Sequence, residues 1–182
     1  MKTKAHLQAS GIFDSISNVV DRFRGKRLDG WNNESTKTIN KFADSVIKSF
    51  TIARKPIEKV LDTVINLLTL NTWSSLKKKY GFDDLYHLCL IVELNNGTKL
   101  YCEKIDAVTI SLKDKISGSK TEYLAVSAPT NLKFRTFIDG AREFAGSDKK
   151  FFDYDAFNNN CQVFVGDYLL KSIGKYGENE KS

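Results

Sequence analysis

The stretch Tyr86-His87-Leu88-Cys89-Leu90-Ile91-Val92-Glu93-Leu94 decides the fold. Its β-branched, aromatic and aliphatic residues run almost unbroken, which predicts a strand buried on both faces. Asn95-Asn96-Gly97 follows at once and signals a tight reversal. Leu100–Lys104 then reads as the returning strand, Ala107–Leu112 as a third and Glu122–Val126 as a short fourth, with Lys113–Lys120 a polar loop.

Working outward, Phe134, Phe137, Ile138, Ala141, Phe144 and Ala145 recur at helical spacing. They predict a helix over Leu132–Ala145, with Asn131 as its cap and Gly146 as its stop. Ser147–Asn160 reads as a loop, and Cys161–Ile173 as a helix ended by Gly174. Upstream, Ile12, Phe13, Ile16, Val19, Val20 and Phe23 form the apolar stripe of a helix over 11–23. Ile39, Phe42, Val46 and Phe50 predict a second over about 36–53. Pro56 suits the first turn of a third, over 56–70. The expected class is α+β: a helical N-terminal region (1–80), a strand-and-helix domain (81–176) and a tail (177–182).

The balance of 28 Lys and Arg against 22 Asp and Glu gives a net charge of +6, which suits an anionic surface. No run of five like charges occurs, and aromatics do not interleave with arginines, so nucleic-acid binding is disfavoured. Three cysteines without paired spacing argue against a disulfide framework and for a reducing, cytoplasmic setting. Two histidines and no Cys-x-x-Cys leave too few ligands for a zinc site, so neither metal nor cofactor is expected. No stretch has the apolar length of a membrane span or of a secretory leader.

Cys161 carries the chemistry. It follows Asn158-Asn159-Asn160, good capping residues, and precedes Phe164, Val165, Tyr168 and Leu169 at inward-facing spacing. A cysteine in the first turn of a helix meets free amides and the positive end of the dipole, which favour a thiolate and can hold an oxyanion. The plainer reading is a small buried cysteine. His87, at the start of the strand, is the one imidazole of the second half. Turn length decides its partner. A three-residue loop sets Cys89 opposite Glu103, with Glu103 diagonal to His87; a two-residue loop sets Asp106 opposite His87. Either carboxylate could orient the imidazole and stabilise its cation.

Tyr86-His87-Leu88, Glu103 and Asn160-Cys161-Gln162-Val163-Phe164-Val165 together resemble the circularly permuted branch of the NlpC/P60, papain-like superfamily. That branch includes the lecithin:retinol acyltransferase-like proteins, the related small phospholipase/acyltransferases and the PPPDE peptidases. The resemblance covers residues 84–174. It implies a permuted papain-like domain with a Cys-bearing helix, Cys161 as nucleophile, His87 as base and Glu103 as third member. It implies an acyl-enzyme resolved by water or an amine, with the first-turn amides of the Cys161 helix as oxyanion hole. Two departures bear on substrate. The acyltransferases usually carry a second His where Glu103 stands, and Gln162-Val163 replaces their usual Glu-His.

Gly11-Ile12-Phe13-Asp14 is similar to the opening of membrane-active amphibian peptides. The apolar stripe that follows, with Arg22, Arg24, Lys26 and Arg27, suits an anionic bilayer surface across residues 11–27. The expected function is therefore a cysteine-dependent acyl hydrolase or acyltransferase on lipid esters or other acylated substrates, peripheral to a membrane. The alternatives are a cysteine peptidase or isopeptidase, and a non-catalytic, membrane-interacting protein of the kind found in virions.

Overall fold

The structure is a computed structural model that describes residues 30–56, 86–155 and 158–178. The helices expected over 11–23 and 56–70 lie outside the described residues. Among those described, α1 (Asn33–Phe42) leads into β1 (Ile47–Pro56), followed by β2 (Tyr86–Leu94), β3 (Lys99–Lys104), β4 (Val108–Ser111) and β5 (Glu122–Val126). Then come α2 (Phe134–Ala145), α3 (Asp148–Phe152), α4 (Cys161–Val163), a π-helical segment (Phe164–Leu169) and α5 (Leu170–Glu178). The protein is α+β, with one five-stranded antiparallel sheet in the order β4-β3-β2-β1-β5.

The turn after β2 is the anchor of the register. Gly97 takes φ 83° and its amide donates to Leu94 O, while Leu94 N donates to Thr98 O. Glycine accepts that left-handed conformation without the clash a Cβ would bring. This is the three-residue loop, and it sets Cys89 opposite Glu103.

Helices pack on one sheet face, where Phe50, Leu90, Val92, Leu100, Cys102 and Ile110 meet Phe134, Phe137, Phe151, Phe164 and Leu169. The opposite face holds a smaller cluster of Ala53, Cys89, Ile91 and Tyr101 under Ile116 of the β4–β5 loop. Asp114 folds that loop by accepting from the amides of Ile116 and Ser117. At the β4 edge, Ser35 of α1 accepts from Ile110 N at 2.9 Å, which occupies an amide that an open edge would leave unpaired.

The helix expected over 36–53 is corrected. It ends at Phe42, and residues 47–56 form a strand between β2 and β5. Only Ile47, Phe50 and Ala53 of β1 are buried, and the bulge between Ile47 and Ser49 breaks strict alternation, so the apolar positions mimic a helical stripe. Pro56 ends β1 opposite Tyr86. The sheet thus takes a strand from ahead of residue 80.

Three smaller expectations also change. Asn131 does not cap α2. It takes φ 58°, and the first amides, of Phe134 and Arg135, are satisfied by the carbonyls of Ser45 and Ala43. Gly146 does stop α2, at φ 75°. Ser147–Asn160 contains a short helix, α3, whose N-cap Ser147 accepts from Lys150 N. The last helix passes through Gly174 to Glu178, because Ser172, Ile173 and Tyr176 pack against the core on either side of the glycine.

Gly140 of α2 is where that helix crosses closest. A Cβ there would lie 2.6 Å from Ser172 Oγ and 2.9 Å from Tyr176 Cε2. The Ser172 hydroxyl is tied to Phe137 O at 2.8 Å, so it cannot turn away freely. Gly140→Ala is expected to lose up to about 2 kcal/mol in urea titration, because overpacking (about 1–3 kcal/mol) offsets or exceeds the helix-propensity gain of about 1 kcal/mol. A variant more stable than the parent would show that the two helices part easily.

Candidate active site

β2 begins at the edge of the helical layer, and the Cys161 helix begins beside it. The thiol of Cys161 reaches Tyr86 O at 3.7 Å and is 8% exposed. Asn160 provides the cap: its side-chain oxygen accepts from Gln162 N at 2.9 Å and from Val163 N at 3.2 Å. This bears on the expected oxyanion hole, because the first-turn amides of Gln162 and Val163 are already spent on the cap. Directly after α4 the helix widens into its π segment, a feature that recurs at functional sites.

His87 and Glu103 sit on the same sheet side, one diagonal step apart, as the register requires. His87 Nε2 is 3.0 Å from Glu103 Oε2, and the carboxylate side chain is only 4% exposed. The Cys161 side chain also acts on the imidazole and favours its charged form, while the thiol itself is aimed at the carbonyl of Tyr86, the residue beside His87. Burial alone would pull the imidazole pKa down. Hydrogen bonds to Cys161 and Glu103, and then their charges, outweigh it, and the pKa rises from 6.5 to about 9. Thus Cys161, His87 and Glu103 meet in one place, although 74 residues separate the first two in the chain. Asp106, the other candidate, lies in the β3–β4 turn; its charge acts on Tyr154, not on His87.

Two residues join the site that the sequence did not single out. Tyr154 lies within electrostatic reach of Cys161. Its hydroxyl is pushed up to about 12 by burial, with the charges of Cys161, Asp155 and Asp106 adding to it. Lys104, next to Glu103, is fully buried and donates to Lys150 O, Phe151 O and Asn159 Oδ1. The only trace of either in the sequence is position: a tyrosine in the loop before the cysteine, and a lysine beside the predicted carboxylate.

The other two cysteines differ from Cys161. Cys89 and Cys102 are buried within the sheet, and desolvation drives both thiols far above the usual range. All three are free. No described helix is long and apolar enough to cross a membrane.

Compared with known proteins, the chain matches no family model, no curated protein and no solved structure.

Proposed function

We propose that this protein is a cysteine-dependent acyl hydrolase or acyltransferase with a permuted papain-like catalytic domain. The observation that carries the reading is the convergence on His87, with Glu103 on Nε2 and the Cys161 thiol at the carbonyl of the neighbouring Tyr86, acting on the same imidazole. A nucleophile, a base and a group that orients the base are the minimum for thiol acyl transfer.

In this mechanism His87 takes the Cys161 proton, and the sulfur attacks a carbonyl carbon, forming a C–S bond. Glu103 holds the ring and balances its positive charge. The imidazolium then gives its proton to the leaving alcohol or amine as the C–O or C–N bond breaks. Water or an amine acceptor attacks the thioester, with His87 again as base, and the free thiol returns. Because the Gln162 and Val163 amides serve the cap, oxyanion donors in the closed complex come from other groups or from release of Asn160.

Lipid esters are the favoured carbonyl, supported by the apolar, arginine-flanked stretch over 11–27. A virion-associated or other peripheral membrane setting fits that stretch as well.

The test is intact-mass spectrometry after incubation with a lipid-tailed β-lactone probe and, separately, a peptidyl halomethyl ketone, together with fatty-acid release from anionic phosphatidylcholine/phosphatidylserine vesicles. Lipid-probe adducts on Cys161 and vesicle hydrolysis, both absent in Cys161→Ala, are expected. Adducts from the peptide probe alone would move the substrate to peptides. No adduct from either would leave the non-catalytic alternative.

A further inference from the structure

Among the described residues Lys104 is the one lysine whose burial is complete, and strand geometry makes its place informative. Side chains alternate across a strand. Glu103 therefore points to the His87 side of β3, and Lys104 to the helical side. There its ammonium finds one acceptor for each of its three hydrogens: Phe151 O at 3.0 Å, Asn159 Oδ1 at 2.9 Å and Lys150 O at 3.3 Å. Asn159 extends the link. Its amide nitrogen donates to Lys150 O and Asp153 O, both at 2.7 Å, and its oxygen also accepts from Tyr168 Oη at 3.2 Å. The next residue is Asn160, the cap, and then Cys161.

We propose that Lys104 is a positioning residue for the nucleophile: it fixes the segment 150–159 to β3, so that two adjacent residues of one strand set both the base and the sulfur. Glu103 aims His87, and Lys104, through Asn159, sets where the Cys161 helix begins. The inference rests on the reading of Cys161 as the nucleophile. Its energetics are consistent with a specific role. Burying an ammonium is costly, and burial pulls this pKa down to about 8 even with Asp153 opposing it. A methionine or leucine would fill the volume without that cost, so the charge serves an orientation that apolar packing cannot provide.

The experiment follows Cys161 alkylation by iodoacetamide from pH 5 to 9 in the full-length chain, with the modified residue located by mass spectrometry and folding followed by circular dichroism. The variants are Lys104→Met, Asn159→Leu and Asn159→Asp. A displaced sulfur loses about tenfold or more in rate, since misplacement of a reacting atom by about 1 Å costs on that order. Lys104→Met and Asn159→Leu should both show this loss near pH 7, with a changed pH profile. Asn159→Asp keeps the acceptor for Lys104 but loses the two donors to Lys150 O and Asp153 O, so its rate should fall between those of wild type and Asn159→Leu. A purely structural role would lower the melting temperature and leave the rate and its pH profile unchanged. That result in folded Lys104→Met overturns the proposal. If Lys104→Met does not fold, the same result in Asn159→Leu overturns it. Wild-type Cys161 that alkylates no faster than free cysteine refutes the nucleophile reading and this inference together. A fast wild type with equally fast variants refutes the inference alone.

Discussion

His87→Gln is expected to slow both probe labelling and iodoacetamide alkylation of Cys161 at pH 7 by about 10²- to 10⁴-fold, the range that a positioned general base contributes. Glutamine keeps a polar group beside Glu103 but cannot take up the thiol proton. The pH dependence should change with it. The folded-state pKa of His87 is raised from 6.5 to about 9. Its contribution to stability is therefore fully present below pH 6.5 and is lost as pH rises through 9. Urea titrations across pH 6 to 10 should show this decline in the wild type, and it should vanish in His87→Gln. Alkylation at the wild-type rate in the variant would remove imidazole assistance from the mechanism.

Glu103→Gln has the next largest expected effect. The carboxylate lies 3.0 Å from His87 and is almost fully buried, so water cannot replace it. A hydrogen bond to a charged group is worth about 1.5–3 kcal/mol, which sets a loss of about 10- to 100-fold in turnover. Because Glu103 is one of the groups that raise the His87 pKa, its neutralisation should also move the alkaline limit of the stability window down from about 9 toward the ordinary histidine value. Histidine NMR titration measures that shift directly. An unmoved His87 resonance would assign the raised pKa to Cys161 alone. Asp106→Asn is the control, expected to leave both readouts unchanged because Asp106 acts on Tyr154.

These predictions depend on features that differ in how far they could be read from the chain. The Asn95-Asn96-Gly97 turn is local: glycine takes a conformation closed to other residues, and turn length then dictates every cross-strand pair of β2 and β3. The sequence thus narrows the partner of His87 to Glu103 or Asp106, and the three-residue loop in the structure sets it as Glu103. The capped start of the Cys161 helix is equally local, since Asn160 and the amides it meets lie within three residues of one another. β1 hides from periodicity because its buried positions, Ile47, Phe50 and Ala53, fall three apart across a bulge rather than alternating. The Asn131 cap failed for a different reason: the amides it would have satisfied found carbonyls from residues 43 and 45 instead.

What the amino-acid order determined, by itself, was the reversal after β2 and the capped cysteine, because each rests on backbone sterics and hydrogen bonds between near neighbours. Only tertiary structure decided that the sulfur meets the imidazole, that residues 47–56 complete the sheet and that Lys104 is buried. Those outcomes depend on contacts between segments tens of residues apart, whose closure is driven by non-directional burial of apolar surface and leaves no local signature.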